Sequence, residues 1–394
     1  MRPPVKLPLS GITVVTLEHA IAAPFCTRQL ADQGARVIKI ERPGVGDFAR
    51  AYDNRVLGQS SHFVWTNRSK ESLTLDLKHA LAPEVLAKLL AHADVLVQNL
   101  APGAAARLGL SYEALQAAHP KLIVCDISGY GEDGPYRDKK AYDLLIQSES
   151  GFVSITGSPD EPAKAGCSIA DISAGMYAYS NILTALIERG RTGRGKHIDV
   201  SMLESMVEWM GFPMYYAYNG ATPPPRAGAA HATIYPYGPF VAGDGKTVML
   251  GLQNDREWLI FCQQVLQQPA LAADARFSTN ALRTAAREPL RALIALAFSS
   301  MTAEQVVAKL DQAGIANAQV NTLADVWAHP QLQARSRWTD INTPAGPVPA
   351  LLPPGCNEAR MDAVPALGEH SLAILAELGF APGLIDQLQR EGAV

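Results

Sequence analysis

Four apolar stretches in the first third of the chain, set apart by helix-length intervals, constrain its fold more than any other feature. They are "GITVVTL" (11–17), "RVIKIE" (36–41), "ADVLVQNL" (93–100) and "KLIVCDISGYG" (121–131), and their β-branched content reads as buried strands. Pro24 starts a helix after the first of them and Gly34 stops it, and 82–92 is helical before the third. This alternation predicts an α/β fold, a mainly parallel sheet covered by helices, with ligands at the carboxyl ends of the strands. The turn after the first strand, "EHAIAAP", lacks the GxGxxG that cradles a dinucleotide pyrophosphate, so Glu41 has little claim to be a ribose-binding acid.

Further along, "GFPMYYAYNGATPPPRAGAAHATIYPYGPF" (211–240) is rich in Pro, Gly and Tyr and reads as a connection. "KTVMLGL" (246–252) is strand-like, and helical segments follow near 256–267, 285–299 and 303–313. A Pro-rich passage at 342–355 then precedes a last helical stretch at 369–392. We expect a large Rossmann-like domain at 1–210, a linker at 211–235, a small domain at 236–325 and a return to the large domain at 326–394. With 394 residues, 48% of them hydrophobic, the chain can bury a large core. A net charge of −4 gives no reason to expect nucleic acid or an anionic membrane as partner. No apolar run is long enough to cross a membrane, and "MRPPVKLPLS" lacks the apolar region of a signal peptide. Five scattered cysteines without CxxC spacing fit a reduced, cytoplasmic protein and no metal site.

Chemistry concentrates in "KAGCSIADISAGMYAYSNILTALIERG" (164–190), where Asp171 is a lone acid among small and apolar residues. Ser168 and Asp171 have the spacing of a capping box. Met176, Tyr179, Leu183 and Leu186 then follow helical periodicity, and Gly190 is placed to end the helix. The same position suits a nucleophile. The first turn of a helix favours the carboxylate form, and Gly166, Ala170, Ser173, Ala174 and Gly175 leave room for a substrate.

Other motifs run the length of the chain. They include "LADQGARVIKIERPGVGDFAR" (30–50), "NRSKESLTLDLK" (67–78), "DISGYGEDGPY" (126–136), "RTGRGKHIDVSMLES" (191–205), "DARFSTNALR" (274–283) and "HPQLQAR" (329–335). In this order, together with 168–178, they are similar to those of the family III CoA-transferases. This CaiB/BaiF family includes formyl-CoA, carnitine and dicarboxylate CoA-transferases. The resemblance implies a Rossmann-like large domain, a smaller α/β middle domain and an interlocked homodimer. It implies that Asp171 attacks an acyl-CoA thioester, passes through an aspartyl-acyl anhydride and an aspartyl-CoA thioester, and hands CoA to a carboxylic acid. Coenzyme A thioester is then a substrate, and no tightly bound cofactor is expected.

Carried over residue by residue, the resemblance places Arg42, Arg107 and Lys140 at the phosphates of CoA. Leu75, Asn99 and Leu100 fall around the adenine, and Tyr142 and His19 nearer the thioester. Plainer roles stand beside these: Arg42 as a surface partner of Glu41, Arg107 as a solvated helix residue, His19 as a structural histidine. Asp143 matches an acid that assists the nucleophile's surroundings, a Glu in formyl-CoA transferase. His231 is expected to face the acyl pocket. Arg226 is a candidate partner for a second substrate carboxylate, or a solvated loop residue. The glycine run that shields the intermediate in formyl-CoA transferase is replaced by "LGLQNDREW" (250–258), with Gly251 alone.

The subfamily resemblance points to succinyl-CoA as donor and to a C4–C5 dicarboxylate of the citramalate, mesaconate, itaconate or malate type as acceptor. The related α-methylacyl-CoA racemases carry a His where this chain has Tyr142, and a phenol of pKa about 10 is a poor substitute as a base. A racemase, an intramolecular CoA transfer and a non-catalytic CoA-binding protein are the alternatives.

Overall fold

The computed structural model describes residues 6–394, so Met1–Val5 of the N-terminal stretch read above lie outside the described residues. Two compact units divide the chain. The first takes the chain up to Gly151, then Ala165–Met210 and Gln331–Val394; the second takes Phe152–Lys164 and Gly211–Pro330. Segment 152–164, expected within the large domain, thus groups with the middle of the chain.

The first unit is built on six parallel strands, β1 (Thr13–Leu17), β2 (Arg36–Glu41), β3 (Lys70–Thr74), β4 (Val95–Gln98), β5 (Ile123–Ser128) and β6 (His197–Ser201). Their order is β3-β2-β1-β4-β5-β6. The order reverses between β1 and β4, and a parallel sheet opens a crevice at the carboxyl ends of two such strands. Here the crevice is tied across: His19 N donates to Asn99 Oδ1 at 2.8 Å and Asn99 Nδ2 donates to the His19 carbonyl at 2.9 Å.

Helices α1 (Ala22–Asp32), α2 (Ala82–Ala91), α3 (Asp143–Glu149) and α4 (Ile169–Thr192) flank this sheet. Val85, Leu86, Leu89 and Leu90 of α2 recur at helical spacing and are buried in one cluster with Val15, Ile38, Leu73 and Leu96 of the strands. Ile374, Leu375, Ile385 and Leu388 join the same cluster, so the last residues of the chain complete the core of the first. Burial of each such side chain contributes about 1.5–3 kcal/mol. Helix α4 lies close on α1 because position 175 is glycine. A Cβ there would stand 2.6 Å from the Ala22 carbonyl oxygen.

Several local expectations are corrected. Helix α4 runs past Gly190 and ends at Gly193, which takes the left-handed conformation (φ 71°) that a helix C-terminus favours in glycine. The passage at 342–355 is not a plain linker. It contributes to an antiparallel hairpin of Trp338–Thr343 and Gly346–Leu351. The last helical stretch is two helices, Ser371–Glu377 and Pro382–Arg390, broken at Gly379 (φ 78°).

In the second unit, strands Tyr237–Val241, Thr247–Gly251 and Ala316–Gln319 form an antiparallel sheet. Its core gathers Trp258, Phe261, Phe277, Leu290, Phe298 and Val306. No single helix among the described residues is long and apolar enough to cross a membrane.

Candidate active site

Asp171 lies in the first turn of α4, and the device that holds this helix end is not the capping box its spacing suggests. Ser168 makes no side-chain cap bond. The Asp143 carboxylate, at the start of α3, does the capping instead: its Oδ1 accepts from Ala170 N at 2.8 Å and Asp171 N at 3.4 Å. Gln147, one turn further along α3 and fully buried, donates to Asp143 Oδ2 at 2.7 Å. Its carbonyl oxygen accepts from Ala165 N at 2.9 Å. One amide thereby fixes both the capping acid and the chain entering α4.

The electrostatics of Asp171 also reverse the expectation that its anion is favoured. Burial, then the neighbouring Asp143 charge, push its carboxyl up to about 7, although the Ala22 backbone N–H pulls the other way. Ala22 opens α1, an eleven-residue helix whose N-terminus has no side-chain cap. Asp171 therefore faces the positive end of one helix while sitting on that of another. Such a carboxylate is more basic than a solvated one, and hence a stronger nucleophile towards a carbonyl carbon. Asp143→Asn should move the acid limb of the pH–rate profile to lower pH, because it removes the like charge that raises Asp171. A rate profile from pH 5 to 9 checks this; an unmoved limb contradicts it.

The loop between β1 and α1 connects Asp171 to the crevice. Ala20 is held at φ 61°, and its N–H donates to Asp47 Oδ1 at 3.2 Å. His19 stacks on Phe48, with ring centroids 5.1 Å apart, and its Nδ1 lies 3.7 Å from Asp47 Oδ1. Asp47 is anchored by Lys39 Nζ at 2.7 Å, and Lys39 also reaches Glu18, which Lys70 meets at 2.6 Å. All four side chains are wholly buried. Their charges balance, two acids against two ammonium groups.

A cavity of 540 Å³ opens at the carboxyl ends of β1, β2 and β4, lined among others by His19, Arg42, Leu75, Lys78, Leu100 and Gly392. Arg42 and Lys78 are exposed and form no ion pair among the described residues. Four residues assigned from the resemblance, His19, Arg42, Leu75 and Leu100, are thus brought together, though Leu75 is a buried wall and not a free side chain. Asn99 spends one acceptor and one donor of its amide on the His19 backbone, and one of each remains. Arg107, Lys140 and Tyr142 are exposed and lie outside this lining, Tyr142 at 70%.

The two second-unit candidates are engaged within their own unit. His231 Nδ1 accepts from Thr233 N and Ile234 N, its ring stacks on Tyr237, and burial and then Arg287 lower its pKa. Arg226 donates to the carbonyls of Ser158 and Pro159 at 3.0 and 2.8 Å, which ties it to segment 152–164.

Gln147, Lys78 and the buried Glu18–Lys39–Asp47–Lys70 group were not singled out from the sequence. The signal for the last was present: Lys39 interrupts the otherwise apolar centre of "RVIKIE", and a buried strand seldom carries an unpaired ammonium. Among the described residues, Asp126, Glu132 and His197 bring carboxylate and imidazole atoms together. There His197 Nε2 lies 2.7 Å from Asp126 Oδ2.

Residues 9–371 match the model of CoA-transferase family III. The chain belongs to that family and is a CoA-transferase. It is 36% identical to the succinate–glutarate CoA-transferase of Agrobacterium fabrum, over 95% of this chain and 96% of that protein. It is 32% identical to the succinyl-CoA–D-citramalate CoA-transferase of Chloroflexus aurantiacus, over 96% and 95%. A crystal structure of a CaiB/BaiF family protein from Brucella suis superposes with a TM-score of 0.83, at 37% identity, covering 95% of this chain and all of that one.

Proposed function

We propose that this enzyme moves CoA from succinyl-CoA to a C4–C5 dicarboxylate through an aspartyl-acyl anhydride and an aspartyl-CoA thioester at Asp171. The observation that carries the reading is the short span from His19 to Ala22. His19 lines the cavity at the crevice, and Ala22 directs its N–H at Asp171, whose carboxyl is raised to about 7. A pantetheine arm leaving that cavity along this span brings its thioester to Asp171.

In the proposed sequence, an Asp171 oxygen attacks the thioester carbon, the C–S bond breaks, and CoA leaves as thiolate. The thiolate attacks Cγ of Asp171 and expels the donor acid as carboxylate, leaving the aspartyl-CoA thioester. An acceptor carboxylate then attacks Cγ and releases the thiolate, which attacks the acceptor's acyl carbon and frees Asp171. The Ala22 N–H is suited to stabilise the oxyanion of each addition. Arg42 and Lys78 supply charge for the phosphates at the crevice.

The named relatives act with succinate and glutarate or with succinyl-CoA and D-citramalate, which supports a dicarboxylate acceptor. Arg226, held by carbonyls, is not offered for the second carboxylate. Chromatography of the thioesters formed from succinyl-CoA with glutarate, citramalate, mesaconate, itaconate, malate or propionate tests the reading. At least one dicarboxylate should be taken at least ~10-fold faster than propionate, the scale one engaged carboxylate supports. Equal rates contradict it. An interlocked homodimer belongs to the same proposal; exposed Phe212, Tyr215 and Tyr218, at 59, 81 and 74%, support a covered face there. Light scattering that gives a monomer contradicts it.

A further inference from the structure

Segments around the candidate CoA cavity run back to one imidazole at the start of β6. His197 Nε2 lies 2.7 Å from Asp126 Oδ2 on β5 and 3.2 Å from Glu132 Oε1 in the following loop. From Asp126 the hydrogen bonds continue into the cavity wall. Gln98 Nε2 donates to Asp126 Oδ1 at 2.7 Å, and Leu100 N donates to Gln98 Oε1 at 2.6 Å. The flat face of His197 stacks on Tyr112, with centroids 5.5 Å apart and planes 9° apart. Tyr112 follows Arg107 in the next short helix. Glu132 lies in the stretch that ends at Lys140, and its N–H donates to Asp199 Oδ2 at 3.1 Å. The segment of Leu100, which lines the cavity, and those of Arg107 and Lys140, which the family resemblance assigns to the CoA phosphates, therefore meet at a side chain the transfer chemistry does not need.

We propose that His197 is a positioning residue that fastens these three segments, and that rising pH loosens this latch and weakens binding of the ADP moiety of CoA. The inference rests on the CoA pocket assigned above. The groups facing His197 are Asp126, Glu132, Asp199 and the Tyr112 ring. The hydrogen bond that protonated His197 donates to Asp126 raises its pKa, burial opposes it, and Glu132 adds to the rise. Glu132 is pushed up to about 7 by burial and by Asp126 and Asp199, against the pull of His197. Both shifts are upward, so the protons that hold the latch are present at lower pH and leave as pH rises through 7 and beyond. Glu132 then faces Asp126 and Asp199 as a like charge.

Calorimetric binding of a CoA thioether, which cannot be turned over, to the intact enzyme between about pH 7 and 9 tests this. Wild-type affinity should fall about five- to tenfold across that range, the scale of one ordinary hydrogen bond. His197→Phe keeps the stack but not the proton, and should bind weakly with little pH dependence while kcat stays near wild type. Glu132→Gln is neutral at every pH and leaves His197 alone to titrate, so it should lose less affinity than the wild type up to pH 9. A His197→Phe enzyme with the wild-type affinity and slope overturns the latch, as does a Glu132→Gln enzyme that loses affinity with pH as wild type does. The pocket itself is tested apart by Arg42→Ala. That variant should weaken binding equally at all pH, and if it does not, the pocket reading fails whatever His197 does.

Discussion

Asp171→Ala should lose CoA transfer by about 10⁴-fold or more while remaining folded, since it removes the nucleophile and not merely a contact that helps it. Stability should hold because Asp171 is not the cap of its helix. The Asp143 carboxylate accepts the first-turn N–H groups and needs nothing from the Asp171 side chain. The sign of the pH effect makes the point sharper. A carboxyl raised to about 7 keeps a proton in the folded protein that the unfolded chain releases near pH 4, so the variant should gain on the wild type in thermal stability as pH rises from about 4 to 7 and keep that gain above 7. Had Asp171 been only a capping residue, its removal would lower stability and leave the chemistry alone.

The second large effect is expected far from any substrate. Asp47→Ala should destabilise the first unit by about 3–5 kcal/mol, because it leaves the wholly buried Lys39 short of an anion and frees the N–H groups of Ala20 and Ala49. Burial alone would raise the Asp47 carboxyl, yet Lys39 and the hydrogen bonds hold it well below the usual carboxylate range. Its contribution is therefore present above the ordinary carboxylate pKa and fades as pH falls through the depressed value. Turnover should fall as well, since Asp47 holds the loop that delivers Ala22 to Asp171. Lys39→Met combined with Asp47→Leu should recover much of the stability, because Glu18 and Lys70 remain as a balanced pair. Calorimetric melting of the three proteins decides. A single variant that melts with the wild type would mean the network holds nothing.

What the sequence made legible follows from how local each signal is. Strands such as "TVVTL" and "RVIKIE" carry β-branched residues on both faces and declare themselves, but β3 (KESLT) and β6 (HIDVS) carry polar residues whose partners lie far along the chain. Thr74 N, for example, is met by Ser371 Oγ, and no window of sequence contains that pair. Asp171 was legible because a lone acid in a small-residue run is unusual. Its protonation was not, since two helix N-termini favour the anion, whereas burial and Asp143 decide the outcome. Asn99 shows the reverse case. Its position beside the crevice could be carried over from relatives, but its role in bracing His19 needed the coordinates.

The central claim is that Asp171 becomes covalently acylated. Mass spectrometry of the protein after incubation with succinyl-CoA and hydroxylamine tests it most directly, since hydroxylamine converts an activated aspartyl group to its hydroxamate. The account predicts modification at Asp171 in the wild type and none at that position in Asp171→Ala, with Asp143 unmodified in both. An unmodified Asp171 in an enzyme that still transfers CoA would contradict it.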